Sequence, residues 1–268
     1  LRVNPDVDAM THEYITTAKK KAKFGIDLKT AKEIFITGKT KYQHVNINGI
    51  HIHIGSQIVS PEPYLEAFNK IEGFIQEIRK NGEDIEYFDM GGGFGIIYDT
   101  EKPQTAEELA EKSVDLLKRI KTKIIIEPGR FIMGNAGILI TKALYVKESI
   151  DNRFIIVNGA MNDLIRPSLY QAYHQIVPVT PREELKDNKK ADIVGPVCES
   201  GDFFGKEREL WVQQGDLIAV MGAGAYGFSM SSNYNSRLKA AEILIKNSEP
   251  RLIRKRENYD DLIRLEVF

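Results

Sequence analysis

Residues 49–57 (GIHIHIGSQ) alternate two histidines with three isoleucines and then break into a glycine and a serine. A period of two puts His51 and His53 on one face of a strand and Ile50, Ile52 and Ile54 on the other. Histidines so placed are either hydrogen-bonded core residues or groups presented to a ligand. The flexible Gly55-Ser56 turn at the strand's end suits an anion. Gly91-Gly92-Gly93-Phe94-Gly95, directly after an apolar run, is a second anion candidate. Glycines let successive backbone N–H groups approach a phosphate without interference from Cβ. No Gly-Lys-Ser/Thr follows, so this is not a P-loop, and Ile96-Ile97-Tyr98 does not open the helix that a dinucleotide fingerprint needs. The same glycines could form no more than a tight turn. Glu127-Pro128-Gly129-Arg130 ends a further run with a carboxylate and a guanidinium three residues apart, which alone could be a simple ion pair.

Three more clusters lie in the second half. Arg166 and Tyr170, with Tyr173 and His174 close behind, offer a cation and a phenol four residues apart. Cys198-Glu199-Ser200-Gly201-Asp202 sets the only thiol beside two acids, and residues 222–235 (GAGAYGFSMSSNYN) form a small-residue loop around Tyr226. Each is a weak signal by itself. A lone cysteine is usually an inert buried hydrophobe, and a Gly/Ser loop is usually a turn.

The elements that must position these groups change character along the chain. Four apolar runs, 1–5, 49–57, 85–95 and 123–130, each end in Gly, Pro or a polar cluster, and the last three start 36 and then 38 residues apart. Between them, residues 64–81 carry apolar side chains at 65, 68, 71, 74, 75 and 78, a helical stripe. Residues 106–120 do the same at 109, 114, 116, 117 and 120, after Thr105 as a cap with Glu108 three residues on. Residues 11–24 and 30–36 are weaker helical stretches. Strand and helix alternating at this spacing predict a parallel sheet with crossover helices, either an open doubly wound sheet or a closed (β/α)8 barrel. Four units make half a barrel, since a full one takes about 250 residues. The sheet is therefore open, or earlier strands lie outside this sequence. From 134 on, the runs 137–146, 153–157, 191–194, 209–212, 216–219, 240–245 and 250–254 are short, β-rich and separated by turn residues. The expected division is 1–133, the α/β part, and 134–268, a mostly antiparallel β domain.

Composition narrows the function. With 37 basic and 38 acidic residues the net charge is −1, and no basic run offers a footprint for nucleic acid or an anionic membrane. No apolar stretch approaches the roughly 18 to 20 residues that span a bilayer. A single cysteine allows no internal disulfide, which argues for a reducing compartment, the cytoplasm. The opening LRVNPDVDAM reads as neither a signal nor a transit peptide, as though the sequence began inside a fold.

Taken in order, RVNP, HIHIGSQ, FDMGGGFG, EPGR, RPSLYQAYH, CESGD and GAYGFSMSSNYN resemble the diaminopimelate decarboxylase family, fold-type III enzymes dependent on pyridoxal 5′-phosphate. Single motifs are shared with ornithine and arginine decarboxylases; the last three together are more specific. The resemblance implies the C-terminal half of a pyridoxal-phosphate-binding (β/α)8 barrel, strands five to eight, followed by a β domain. It implies that the lysine anchoring the cofactor covalently precedes this sequence. Lys123 lies at the wrong end of its strand, and Lys39 and Lys41 read as loop residues before theirs. His53 would stack on the cofactor ring, Ser56, Gly91, Gly92 and Gly93 would hold its phosphate, and Glu127 its pyridine nitrogen. Tyr226 would touch the cofactor and substrate. Arg130, Arg166 and Tyr170 would bind substrate carboxylate, Glu199 the distal ammonium, and Cys198 would donate a proton at the reacting carbon. No metal is implied. The resemblance also implies a homodimer, with Cys198 and Glu199 reaching the partner's site, and conversion of meso-2,6-diaminopimelate to L-lysine and CO2. Two alternatives stay open: an inactive or regulatory member of the family, or a related ornithine, arginine or carboxynorspermidine decarboxylase.

Overall fold

Apolar runs that end in glycine or a polar cluster become short parallel strands in the first half of the chain. The computed structural model describes residues 1–8, 23–150, 152–187 and 189–267, and the chain divides into two compact units, Leu1–Ile132 and Met133–Phe268. Among the described residues the first unit runs β1 (Val3–Asn4), β2 (Ile26–Asp27), α1 (Leu28–Lys41), β3 (Gly49–His51), α2 (Glu62–Lys80), β4 (Tyr87–Asp89), α3 (Ala106–Ile120) and β5 (Lys123–Ile125), and α4 (Gly129–Met133) follows. Strands β3, β4 and β5 are parallel neighbours, with His51 opposite Asp89 and Asp89 opposite Ile125. A parallel bridge from Arg2 to His51 ties the β1 region to β3, and β1 also pairs with β2.

The expected alternation holds. Ile50, Ile52 and Ile54 are fully buried, while His51 and His53 stay partly exposed on the other face. Against those isoleucines α2 packs Phe68, Ile71, Phe74, Ile75 and Ile78, each burial being worth roughly 1.5–3 kcal/mol. Helix α3 has the predicted bounds and the predicted cap: Glu108 N–H donates to Thr105 Oγ1, and the Glu108 carboxylate accepts the Thr105 N–H. Its buried row is Leu109, Ser113, Leu116 and Ile120, so the expected Val114 faces out.

Three local expectations change. The weak stretch at 30–36 is part of the longer α1, begun by Asp27, whose carboxylate accepts the Thr30 N–H. Lys39 and Lys41 therefore lie on a helix and not in a loop. Strand β2 escaped the pattern because two residues show no period. The helical stretch expected at 11–24 falls almost wholly outside the described residues.

The second unit is a β structure. It contains β6 (Leu139–Glu148), β7 (Arg153–Val157), α5 (Arg166–Tyr170), β8 (Ile176–Pro178), β9 (Ala191–Val194), β10 (Phe203–Arg208), β11 (Leu217–Val220), β12 (Glu242–Lys246), β13 (Glu249–Arg254) and α6 (Tyr259–Ile263). Six strands form one sheet in the order β10-β9-β7-β6-β11-β8, antiparallel except for β7 with β9. Its core holds Ile155, Val157, Ile193, Phe204, Ile218 and Val220. Strands β12 and β13 form a separate hairpin, turned by Asn247 and Ser248, both at positive φ, as a two-residue hairpin turn of the favoured hand requires. The strand expected at 209–212 is not there. The ladder uses Phe203–Arg208 upstream, where two register shifts and three charged residues hide the alternation.

Candidate active site

The first unit gathers its chemistry at the C-terminal ends of β3, β4 and β5. Three consecutive glycines follow β4, and a Cβ on Gly91, Gly92 or Gly93 would lie 2.2 Å from Ile52 O, 2.0 Å from Glu127 O and 2.1 Å from Gly55 O. Gly91 and Gly93 also have positive φ. The residue type is thus dictated by the backbones of the neighbouring strand ends, whose approach no other side chain permits. The triplet is pinned besides: Gly91 N–H donates to Asp89 Oδ1 at 2.9 Å, Gly92 N–H to His53 Nδ1 at 3.3 Å, and the fully buried Tyr64 hydroxyl to Gly92 O at 3.0 Å. The Gln57 side chain pairs twice with the Ile96 backbone, fastening the far side of the loop to the end of β3.

His53 Nδ1 accepts a hydrogen bond, which puts the proton of the neutral ring on Nε2. Burial, and then the Arg2 guanidinium, lower its pKa from the ordinary 6.5, favouring that neutral form. Glu127 stands beside both histidines, its Oε2 at 3.4 Å from His51 Nε2 and 3.9 Å from His53 Nδ1, with about half the side chain open to solvent. His51 Nε2 is itself buried and makes no hydrogen bond. Ser56 Oγ accepts from Arg130 Nη2 at 2.9 Å, which leaves the hydroxyl proton for another acceptor, and Arg130 Nη1 donates to Tyr98 Oη at 2.7 Å. Sequence reasoning placed Arg130 as a substrate ligand; both of its Nη atoms are engaged within the chain, and the residue is buried. Tyr98, Asp89 and Arg2 were missed, because nothing in their spacing sets them apart. Lys123 sits at the start of β5, as expected, and pairs with Glu86 at 2.8 Å.

These groups fit a flat, anionic cofactor with a basic ring nitrogen. A partly exposed imidazole, an accessible carboxylate beside it and a hydroxyl backed by a buried guanidinium are the partners such a molecule needs. Donor atoms of His51, Asp89 and Glu127 also lie within 4.8 Å of one another, close enough to hold a metal ion, but Glu127 cannot serve both roles at once.

In the second unit the candidates lie on loops and on the short α5. His174 is fully buried; its Nδ1 faces Met221 O at 2.8 Å and must carry the proton, so Nε2 accepts from Arg166 Nη1 at 2.9 Å. Tyr170, on the same short α5, is half-exposed. Ser168 Oγ donates to Gly201 O, coupling α5 to the loop that carries the exposed Cys198 and Glu199. Asp202 accepts the N–H groups of Met161 and Val197, and burial raises its pKa. Tyr226, 41% exposed, has φ +62°, an outlier for an aromatic residue. It follows Gly224, where a Cβ would lie 1.9 Å from Met133 O. Tyr234 was read only as part of a loop; its hydroxyl donates to Glu199 Oε2 at 2.7 Å.

Parallel strands ending in glycine, histidine and carboxylate bring together the donors and acceptors that a phosphate-bearing cofactor would need. Residues 1–134 match the family described as pyridoxal-dependent decarboxylase, pyridoxal binding domain; the chain belongs to this family. Among curated relatives it is 52% identical to diaminopimelate decarboxylase of Aquifex aeolicus, covering 98% of this chain and 62% of that protein. It is 43% identical to the enzyme of that name from Vibrio cholerae, covering 99% and 63%. The crystal structure of diaminopimelate decarboxylase from Helicobacter pylori complexed with L-lysine superposes with a TM-score of 0.93 at 43% identity, covering 99% of this chain and 66% of that one. The chain thus spans a little over three fifths of the length of these curated relatives, and its fold is part of a β/α barrel followed by a β domain.

Proposed function

We propose that this chain supplies most of the active-site residues of a decarboxylase that converts meso-2,6-diaminopimelate to L-lysine and CO2, the last step of lysine synthesis. The observation that carries it is the grouping of His53, Ser56 and Glu127 at adjacent strand ends, in a chain whose relatives bear the name of that enzyme. Pyridoxal 5′-phosphate, when bound, supplies an electron sink for the pair released as CO2 leaves. Neutral His53 would pack on its ring, and Glu127 would accept a hydrogen bond from the pyridine nitrogen and keep it protonated. Ser56 would hold the phosphate together with the Gly91, Gly92 and Gly93 loop, whose first two N–H groups would turn from Asp89 and His53 to do so, and Arg130, which orients the Ser56 hydroxyl, would release Tyr98 to meet a substrate carboxylate.

Arg166, oriented by His174, and Tyr170 bind a substrate carboxylate, and Tyr226 contacts cofactor and substrate. Glu199 accepts from the distal ammonium. Cys198 Sγ gives a proton to the carbon that has lost CO2 and regains one from solvent. Cys198 and Glu199 complete the site of a partner subunit, so the working form is a homodimer with shared sites. Among the described residues no helix is long and apolar enough to cross a membrane, and we place the enzyme in the cytoplasm.

The test uses protein expressed from the complete gene and loaded with cofactor. Glu127→Gln should lower kcat on meso-diaminopimelate by about 100-fold or more, the scale of a lost acid–base partner, while cofactor absorbance stays within about twofold of wild type. Unchanged kcat, or equal turnover of ornithine or arginine by the wild type, would refute the assignment.

A further inference from the structure

Glu199 has a fixed backbone and a steered side chain. Asp202, 4% exposed, accepts Val197 N–H at 2.7 Å and Met161 N–H at 2.6 Å, so one carboxylate closes the 197–202 loop on itself and fastens it to the segment at 161. Within that loop Glu199 N–H donates to Val197 O at 2.8 Å, and Asp202 N–H to Glu199 O at 3.1 Å. What the backbone leaves adjustable is the Glu199 carboxylate, exposed on a side chain rich in rotamers. Across 35 residues of sequence, the Tyr234 hydroxyl takes one of its oxygens, Oε2.

The segment bearing Tyr234 is held in a conformation it would not choose. Asn235 and Ser236 both have left-handed φ, +57° and +56°; asparagine tolerates that region, but serine there costs about 1–2 kcal/mol. Surrounding bonds impose it: Ser232 N–H donates to Asn162 O, Asn233 Nδ2 to Arg237 O and Glu257 Oε2, and Arg237 to Asn162 Oδ1 and Asn158 O. Strain kept up by so many partners is characteristic of functional sites. The strained turn does not bury the phenol, since Tyr234 stays 49% exposed; it delivers the hydroxyl to Glu199.

We infer that Tyr234 is a positioning residue that fixes the Glu199 carboxylate and so sets how well the enzyme recognises the ammonium at the substrate's distal end. The phenol occupies Oε2 and leaves Oε1 to accept from a cation. A hydroxyl donor and an ammonium donor can share one carboxylate without competing. The nearby carboxylate raises the Tyr234 pKa, which keeps the hydroxyl a donor across the working pH range. The inference rests on the assignment of Glu199 to the distal ammonium.

Tyr234→Phe, Glu199→Gln and the double variant are to be compared in the full-length holoenzyme. Tyr234→Phe should raise KM for meso-diaminopimelate about fivefold with kcat within about twofold, the effect of losing one partly exposed hydrogen bond to a charged group. The double variant should be no worse than Glu199→Gln alone. Competitive inhibition separates positioning from general loosening. The constant for L-lysine, which keeps the distal ammonium, should rise about fivefold in Tyr234→Phe, and that for pimelate, which has no ammonium, should not move. A raised KM in Glu199→Gln with none in Tyr234→Phe overturns the positioning role alone. So does an equal rise for both inhibitors. An unchanged KM in Glu199→Gln overturns the Glu199 assignment, and the inference with it.

Discussion

The two units hold their chemistry in different ways. In the first, reactive groups extend from strand ends that are pressed backbone to backbone; the gaps at Gly91, Gly92 and Gly93 are about 2 Å where a Cβ would sit. In the second, loops and the one-turn α5 carry the groups, and single side chains fasten them: Asp202 under Glu199, Ser168 on Gly201, His174 behind Arg166. Backbone positioning is rigid and has no intermediate settings. Side-chain positioning proceeds bond by bond, so each bond can be removed separately. Under the proposed function, the first would suit a cofactor that must lie in one plane, and the second a substrate end that must be distinguished from similar molecules.

Substitution can break that contrast, and the strongest break is expected at the glycines. Gly92→Ala puts a methyl carbon 2.0 Å from Glu127 O; it should cost about 3 kcal/mol or more, the upper range for overpacking, seen as a collapse in soluble yield or urea midpoint. Gly73→Ala, on the exposed face of α2 with nothing within 4 Å, is its control and should stabilise by about 1 kcal/mol. If both glycines tolerate alanine, the backbone account of the first unit is wrong. Asp202→Asn comes next. It keeps the shape but exchanges one acceptor oxygen for a donor facing a backbone N–H, at a cost of about 2 kcal/mol, or roughly 5 °C in Tm. If activity falls while Tm holds, the loop adjusts and the bond-by-bond view of the second unit needs revision. The smallest effect is expected from Thr105→Ala, which removes the α3 cap for about 1 kcal/mol and should leave cofactor affinity unchanged.

How much of this could be read beforehand follows the same division. The His51/His53 alternation, the α3 cap at Thr105 and the spacing of strand ends are properties of local repeats, so composition and period expose them. Arg130 was found as a residue but not its commitment to Ser56 and Tyr98, because the three come from separate strand ends that only the sheet brings together. Phe203–Arg208 was missed as a strand since its register shifts erase the alternation. Tyr234 and Asp202 lie in loops where no period exists, and what they do depends on partners 35 and 41 residues away. The glycine triplet was read as a phosphate cradle or a tight turn; its close approach to Ile52, Glu127 and Gly55 depends on neighbouring strand ends that no local pattern reveals.

That crowding also bears on how such a protein can diverge. A lineage drifting toward a new substrate has no small steps open at 91–93, where the first added carbon collides with the main chain on either side. Variation is channelled instead into the fastened loops, where losing one hydroxyl or one carboxylate loosens a contact and leaves the scaffold standing. Selection can therefore revise what such an enzyme recognises while the platform for its chemistry stays frozen.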